Sequence, residues 1–324
     1  MLDNSEFPTP ILFIIFNNLE VSKKTFEKIK QIKPAVLYIA ADGPRDGVIG
    51  EQHRCLDARK VIDEVNWDCN LRTFFRSDNS GSAALGVFSA IKWFFDNVEE
   101  GIVLEYDTVP HIEFFYFCQD LLERYRNSKK VMFISGNNFQ DVKGEYSYYF
   151  SYIPTLWGFA TWRNAISLVE SDIKKIDWNS LLLSMPYKSV KNFSRYWWWK
   201  HKCMSRGKID TWDYQILFSI WINKGVSIIP GRNLVTHYVD GVSLAENFNQ
   251  HIPGITNVPT FSILPMKHPN RIFVNENADI FFIEKFNLTL SRYKFLYHYL
   301  SIFILPSWIK SALRIFKNFI SKSE

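Results

Sequence analysis

Two carboxylates, Glu105 and Asp107, follow an apolar run in the segment GIVLEYDTVP, residues 101–110. The apolar run predicts a buried strand, and Pro110 predicts that its hydrogen-bond ladder does not continue further. Acids at the carboxyl end of a strand in an open α/β sheet face the ligand crevice, and these two share one side if the pleat persists. Such oxygen ligands suit Mg²⁺ or Mn²⁺, which hold diphosphates and neutralise a departing phosphate. The alternative is a strand that simply ends in two acidic turn residues.

Two other segments carry residue types that suit ligand binding. Asp42 and Arg45 follow an apolar run, where an acid can accept hydrogen bonds from a base or ribose and an arginine can meet phosphate. The same DGP tripeptide is also an ordinary turn. Trp157 and Gly158 combine a flat apolar surface for stacking on a sugar with a glycine that allows close approach. Aromatic clusters of this kind more often belong to a protein core than to a binding site.

The segments that must position these residues alternate between strands and helices. Apolar runs at residues 11–16, 35–40, 71–76 and 131–134 predict strands. A helix is predicted from about Val21, because apolar residues recur at spacings of three. Strand, helix and strand at this spacing form a βαβ unit with parallel pairing and a right-handed crossover. The sequence therefore predicts an α/β fold with a mostly parallel sheet flanked by helices.

Composition excludes several functional classes. With 47% apolar and 17% aromatic residues among 324, the chain is not disordered and can bury a large core. Its four cysteines are far apart, which predicts neither a zinc site nor a disulfide framework. The net charge of +5 lies in the residues from Arg292 onward, so the neutral remainder predicts no nucleic-acid partner. Without a signal-peptide pattern or a run of 18 apolar residues, we expect a cytoplasmic protein.

The sequence divides into a main domain over residues 1–245, an unassigned extension over 246–290 and a basic tail over 291–324. A helix predicted from Pro306 in the tail has an apolar stripe opposite basic residues. Such a helix is typical of a membrane-surface anchor, and docking on the body or on a second subunit is the alternative. The three tryptophans of YWWWK, residues 196–200, cannot all face one core. We expect them to pack between helices or to form an acceptor platform.

Six segments between residues 9 and 245 together resemble known enzymes. They are ILFIIFNN, YIAADGPR, DNSGSAALG, VLEYDTVP, FISGNN and LWGFATWR. The chain resembles bacterial glycosyltransferases of the GT-A fold, similar to the N-acetylglucosaminyltransferase I type and to haemolysin-like nucleotide-diphospho-sugar transferases. The resemblance implies a Rossmann-like mixed sheet that binds a nucleotide-sugar and a divalent cation, Mn²⁺ or Mg²⁺, and transfers the sugar with inversion.

The resemblance also implies roles for single residues. The family's acidic signature reads Glu-Asp-Asp, and here it reads Glu105, Tyr106 and Asp107. Asp107 would be the direct metal ligand, and Tyr106 replaces an acid that helps to hold the sugar or ribose. In similar enzymes the acid of a Trp-Asp segment is the general base on the acceptor hydroxyl, which here is Asp213 with Asp210 as the fallback. The alternative is an acid that stabilises the start of a helix over residues 214–223.

The remaining site residues follow from the same resemblance. A late histidine completes the metal shell in some GT-A enzymes, which points to His237, although a lone histidine is more often structural. Asp42 would contact the base or ribose, and Asn137 would lie near the sugar and acceptor. The predicted donor-binding residues are Asp42, Arg45, Asn79, Gly81, Glu105, Tyr106, Asn137, Trp157 and Gly158.

These features predict a metal-dependent, inverting glycosyltransferase in bacterial surface polysaccharide synthesis. It would move GlcNAc or another hexose from a UDP-sugar to a hydroxyl of a glycan or lipid-linked glycan. One alternative is a membrane-associated carbohydrate-binding or haemolysin-like protein without transferase activity. A sugar-nucleotide pyrophosphorylase would share the strand-end acids but needs a glycine-rich basic loop after the first strand, and FNNLEVSKK has no glycine.

Overall fold

The computed structural model describes residues 7–140, 144–239 and 255–303 of the chain. The strands are β1 (Ile11–Ile15), β2 (Val36–Ala41), β3 (Asn70–Phe75), β4 (Glu100–Glu105), β5 (Thr108–Pro110), β6 (Val131–Ser135), β7 (Tyr148–Ser151), β8 (Phe159–Trp162), β9 (Val226–Pro230) and β10 (Val235–His237). The α-helices are α1 (Leu19–Ile32), α2 (Glu51–Arg59), α3 (Ala83–Asn97), α4 (Glu113–Tyr125), α5 (Arg163–Ile166), α6 (Trp178–Ser184), α7 (Phe193–Ser205), α8 (Asp213–Ile222), α9 (Glu276–Lys285) and α10 (Arg292–Phe303).

Eight of the strands form one sheet in the order β3-β2-β1-β4-β8-β6-β9-β7. Parallel pairs join β1 to β2 and β4, β2 to β3, and β6 to β9. In contrast, β8 is antiparallel to β4 and β6, and β7 is antiparallel to β9. The predicted βαβ unit is β1-α1-β2. The structure confirms the predicted fold class, a mixed and mostly parallel sheet flanked by helices.

Both faces of the central strands are covered, which explains why these strands are continuous apolar runs. All five residues of β1 are buried. Phe13 packs on one face with Phe26 of α1, whereas Leu12 and Ile14 belong to the cluster on the other face with Phe94 of α3. Polar side chains follow the buried residues at the carboxyl ends of β2 and β4, at Asp42 and Glu105.

The segment after Asp107 differs from the prediction. Residues 108–110 form β5, which pairs antiparallel with β10 and places Pro110 opposite Val235 and Thr108 opposite His237. The ladder does end at Pro110, as predicted, whereas the short strand before this proline was not predicted. The ribbon brings His237 beside the acidic turn, although 130 residues separate it from Asp107.

The described part of the predicted extension packs on the β7 edge of the sheet through α9. Asp279 of α9 is buried and accepts hydrogen bonds from the Ser151 hydroxyl, the Tyr152 N–H and the Tyr187 hydroxyl. Burial raises the pKa of Asp279 to about 6. Three donors from the main domain therefore fix the extension at this point.

The YWWWK segment lies in α7, and its three tryptophans face different neighbours. Trp197 is in the core, Trp198 stacks against Tyr299 of α10, and Trp199 contacts Tyr196. This arrangement confirms packing between helices for Trp198. The amphipathic helix predicted from Pro306 lies outside the described residues. Among the helices that are described, none has the length and apolar character needed to cross a bilayer.

Candidate active site

A cleft of about 480 Å³ runs along the carboxyl ends of β1 to β4. The start of α3, the segment before α8 and the end of β10 close its other sides. Predicted site residues supply much of its lining: Asp42, Arg45, Asn79, Gly81, Glu105, Tyr106, Asp107 and His237. Such a position at the strand ends is where open α/β sheets bind ligands.

The acidic turn is held by the main chain and one threonine. The Thr108 hydroxyl accepts a hydrogen bond from the Glu105 N–H at 2.9 Å and donates to the Glu105 carbonyl at 2.8 Å. The strand ends at Glu105, so the pleat does not persist to Asp107 as the simple spacing argument required. The Tyr106 carbonyl accepts from the Thr25 hydroxyl at 2.8 Å, which ties the turn to α1. Both carboxylates nevertheless line the cleft.

Asp107 and His237 form an adjacent pair of potential metal ligands. The His237 Nε2 lies 3.3 Å from the Asp107 Oδ2, and Trp157 stacks on the buried imidazole with 4.5 Å between ring centroids. Within the described ranges, no three ligating side chains form a complete metal cluster. Mg²⁺ is commonly bound by one or two carboxylates plus substrate phosphates, and imidazole is a ligand of many divalent metals. The pair therefore fits an ion whose shell a bound diphosphate completes.

Asp213 begins α8 and lies close to Glu105, although the two are far apart in sequence. The Asp213 carboxylate accepts a hydrogen bond from the Thr211 hydroxyl, and Trp212 lines the cleft together with Glu105. Burial, followed by the charges of Asp107 and Asp213, raises the pKa of Glu105 well above its usual value. Burial also raises the pKa of Asp213. The predicted base and the predicted metal-binding acids thus share one electrostatic environment.

A positive charge that acts on Asp213 comes from Lys200 of α7. Its ammonium lies 5.1 to 5.5 Å from the ring centroids of Tyr196, Trp199 and Tyr214, which surround it. Burial lowers the pKa of Lys200, and the charge of Asp213 opposes this effect. In return, the charge of Lys200 lowers the pKa of Asp213 against the effect of burial. Lys200 therefore favours the ionised form of the carboxylate that is predicted to act as base.

Asp42 lines the cleft as predicted, but its carboxylate is largely engaged by the loop after β3. It accepts hydrogen bonds from the Ser80 N–H at 3.0 Å, the Ser80 hydroxyl at 2.5 Å and the Gly43 N–H at 2.9 Å. The Asn79 side chain donates to the Gly43 carbonyl at 2.8 Å. Gly81 has a φ of 80° in the same loop, a conformation that favours glycine. These contacts join the end of β2 to the loop and fix this wall of the cleft.

Arg45 and Asp210 also line the cleft, and both make contacts that stabilise the surrounding structure. The Arg45 guanidinium pairs with the fully buried Glu51, and this hydrogen bonding lowers the pKa of Glu51. Asp210 accepts hydrogen bonds from the Ser82 hydroxyl and from the Ala83 N–H at 2.7 Å, at the start of α3. Asp210 therefore stabilises the start of α3, whereas the sequence alternative assigned helix stabilisation to α8.

Three predicted donor-binding residues lie behind the cleft and are not part of its lining. Asn137 is 2% exposed, and its side-chain oxygen accepts from the Trp157 N–H at 3.2 Å. Gly158 has a φ of 69°, and a Cβ there would lie 3.1 Å from both Leu104 and Val235. Trp157 contacts the site through the ring of His237. Their direct role in donor binding stays a prediction, and their observed contacts support the ligands from behind.

Sequence reasoning missed several cleft residues. Arg76 and Trp212 line the cleft, Ser80 holds its wall at β3, and the charge of Lys200 acts on Asp213. The available signal was position: Arg76 ends the predicted third strand, and strand ends meet the crevice. Lys200 had no comparable signal, because its proximity to Asp213 depends on how α7 packs on α8.

No protein-family model and no curated protein matches the sequence. The structure is similar to residues 1–349 of TarS from S. aureus, with a TM-score of 0.40 and 10% identity, over 70% of this chain and 59% of that one. It is also similar to mouse xyloside xylosyltransferase 1 in its apo form, with a TM-score of 0.34 and 8% identity. This similarity covers 74% of this chain and 91% of the xylosyltransferase chain. The apo structure of the bifunctional glycosyltransferase WbbM matches with a TM-score of 0.27 and 10% identity. This match covers 43% of this chain and 24% of the WbbM chain.

This chain thus spans just over half the length of the TarS fragment that it matches. At these identities and TM-scores the similarities carry no information about substrate or mechanism. The function is therefore argued from the cleft.

Proposed function

We propose that the protein is a metal-dependent glycosyltransferase of the GT-A fold that transfers a sugar from a nucleotide-sugar to an acceptor hydroxyl. One observation carries the proposal. Glu105, Asp107 and His237 meet at one end of a cleft of about 480 Å³, and Asp213, outside the lining, is close enough for its charge to act on Glu105. Pockets that bind small molecules and cofactors have volumes of about 300 to 1,000 Å³. The cleft can therefore hold a nucleotide with its phosphates next to the acids.

Asp107 and His237 are the residues that would hold the divalent ion, Mn²⁺ or Mg²⁺. The bound ion would supply charge neutralisation for the leaving nucleoside diphosphate. Asp107 is held in place by the Tyr238 N–H, which donates to its carbonyl at 2.7 Å. His237 is fixed by the strand pairing of β10 with β5 and by the stacked ring of Trp157.

Asp213 is the proposed base that accepts the proton of the acceptor hydroxyl. Its ionised form is favoured by the Thr211 hydroxyl and by the charge of Lys200, and disfavoured by burial. A carboxylate whose pKa is raised in this way is a stronger base than an exposed aspartate while it remains ionised. Attack from the face opposite the diphosphate gives inversion in one displacement.

The finer assignment rests on the motif resemblance. We propose a UDP-sugar as donor, with GlcNAc or another hexose as the transferred sugar. The acceptor would be a glycan or lipid-linked glycan in bacterial surface polysaccharide synthesis, at the cytoplasmic face of the membrane. Tyr106 replaces an acid of the family signature. Its ring packs against the core cluster, so the hydrogen bonds of the missing acid must come from other groups of the cleft.

The test is turnover of a panel of UDP-, GDP-, CMP- and dTDP-sugars, with an added oligosaccharide mixture, in Mn²⁺, in Mg²⁺ and in chelator. We expect one nucleotide class to be turned over with metal and not in chelator. Failure of every donor in both metals, with a folded protein, would contradict the proposal.

A further inference from the structure

Residues 178–209, which contain α6 and α7, carry positive charge without balancing acids. The range has no aspartate or glutamate, and its seven cationic residues are Lys188, Lys191, Arg195, Lys200, Lys202, Arg206 and Lys208. Among the residues that the structure describes, no carboxylate lies within 4.0 Å of Lys188, Lys191 or Lys202. One exposed acid, Glu276 of α9, acts on Tyr187 and can offset one of these charges. The excess charge therefore remains available to a partner outside the chain.

Contacts bring part of this range next to the start of α10, which is also basic. The Lys188 ammonium donates a hydrogen bond to the Leu183 carbonyl, near the end of α6, at 2.8 Å. The Leu290 N–H donates to the Asn192 carbonyl at 3.2 Å, so the start of α10 lies beside the start of α7. The exposed side chains at this junction form a basic surface that consists of Leu183, Lys188, Lys191, Arg292, Tyr293, Lys294 and Leu296.

The basic surface also exposes large apolar side chains among its cations. Leu183 is 77% exposed, Tyr293 87% and Leu296 53%. The other side of α10 packs on α7, where the ring centroids of Trp198 and Phe295 are 5.2 Å apart. A soluble polyanion would pair with the cations and leave these apolar side chains in water. A lipid bilayer would pair with the cations and also bury the apolar side chains at the boundary between headgroups and acyl chains.

We propose that the basic surface binds a bilayer that contains anionic lipids. The cations would lie at the level of the lipid phosphates, to which lysine and arginine are attracted. Tyr293 would lie at the headgroup level, where tyrosine is enriched in membrane proteins, and Leu296 would lie beside it. The mixture of unpaired cations and exposed apolar side chains is what favours this partner.

The position of the basic surface connects membrane binding to the cleft. Trp198 of α7 contacts α10, and Lys200 of the same helix acts on the proposed base, Asp213. Docking of the basic surface would therefore bring the acidic end of the cleft close to the headgroups, where a lipid-linked acceptor would be presented. This consequence rests on the proposed function, whereas the docking itself does not.

The first experiment measures cosedimentation of the full chain with vesicles of phosphatidylcholine, with and without phosphatidylglycerol, at physiological salt. The charge variant is Lys188→Gln with Lys191→Gln, and the control is Lys129→Gln with Lys130→Gln, two exposed lysines before β6. We expect wild type to bind only the vesicles that contain phosphatidylglycerol. The charge variant should bind them about 25-fold more weakly, at about fivefold per cation, and the control should bind as wild type does.

The second experiment tests the apolar side chains in the same assay. Tyr293→Ser with Leu296→Ser should weaken vesicle binding by about tenfold, because less apolar surface is buried on docking. The control is Ile49→Ser with Leu56→Ser, which changes side chains that are 96% and 52% exposed in and before α2. It should bind as wild type does. Binding of soluble polyphosphate should not differ between wild type and either of these variants.

The proposal is overturned if folded wild-type protein does not bind vesicles with phosphatidylglycerol. Binding that is equally strong in the charge variant would assign membrane attachment to another part of the chain. Loss in the charge variant with no loss in Tyr293→Ser with Leu296→Ser would identify a site for soluble polyanions instead. Turnover of a soluble acceptor should be the same in all variants. If wild type binds vesicles as expected but transfers no sugar, the proposed function fails and the docking surface stands.

Discussion

The charged residues at the two ends of the cleft differ in how far the protein supplies them with hydrogen-bond and ion-pair partners. At the β2 and β3 end, Asp42 accepts three hydrogen bonds from Ser80 and Gly43, and Arg45 is paired with Glu51. At the β4 end, Glu105 and Asp213 are half-buried near each other, and desolvation raises the pKa of both. At the first end, protein groups hydrogen-bond to or pair with the charged side chains. At the second end, acidic side chains lie close together although their charges repel each other.

This difference distinguishes charged residues that maintain the structure of the cleft from those that are candidates for metal binding or catalysis. Carboxylates that are fully hydrogen-bonded define the shape of the wall, and changing them costs stability. Carboxylates held together with raised pKa values are typical of sites where a cation or a proton is bound.

The largest effect is expected from Asp107→Ala. Loss of the carboxylate removes one of the two proposed metal ligands, so metal-dependent turnover should fall by more than about 10³-fold. The unfolding midpoint should stay near that of wild type. Asp46→Ala is the matched control, because Asp46 is exposed in a nearby loop and does not line the cleft. Full activity of Asp107→Ala in Mn²⁺ would show that the acidic end is not the metal site.

Asp213→Asn should lower kcat by roughly 10² to 10⁴-fold, the usual contribution of a general base. Donor affinity should be nearly unchanged, since Asp213 is not part of the cleft lining. Steady-state kinetics with Asp210→Asn in parallel separates the two candidate bases. A large loss of kcat in Asp210→Asn with normal kcat in Asp213→Asn would assign the base to Asp210.

Lys200→Met should move the acid limb of the activity profile to higher pH. The base works only when ionised, so activity is lost as the pH falls through the pKa of Asp213. Lys200 lowers that pKa, and without its charge the pKa rises further. Lys202→Met is the control, because Lys202 lies on the same helix over Trp198. An unchanged acid limb in Lys200→Met, measured as kcat/KM against pH, would remove Lys200 from the base environment.

The smallest effect is expected from Asp210→Ala. It removes an acceptor for the Ser82 hydroxyl and for the Ala83 N–H at the start of α3. The loss should be about 1 kcal/mol in the free energy of unfolding, as for a lost helix cap. Chemical denaturation measures it, and a variant as stable as wild type would show that this contact contributes nothing.

Much of the fold could be predicted because apolar runs mark buried strands regardless of their neighbours. β1, β3, β6 and the start of α1 follow from the apolar pattern, and the strand-end rule placed Glu105 and Asp107 where the cleft lies. The turn between β4 and β5 could not be predicted, because Thr108 closes it with side-chain hydrogen bonds. The strand β5 could not be predicted for a related reason, since its partner strand β10 lies far along the chain.

The roles of individual acids were less predictable than their positions. Asp42 and Asp213 have the same side chain near the same cleft, and only their surroundings separate a structural acceptor from a proposed base. Those surroundings come from distant segments: 38 residues separate Asp42 from Ser80, and 127 separate Ala83 from Asp210. The local sequence does not show which distant residues contact an acid, so the hydrogen-bond partners of each acid are known only from the structure.

The most direct test of the central claim is the coupling between nucleotide and metal, measured by calorimetric titration of UDP and GDP at increasing Mn²⁺. If the diphosphate completes the shell of an ion on Asp107 and His237, each ligand must strengthen binding of the other by the same factor. We expect nucleotide affinity to rise with Mn²⁺ in wild type and to be independent of Mn²⁺ in Asp107→Ala. Nucleotide binding that is equally tight in chelator would contradict a metal-dependent transferase at this cleft.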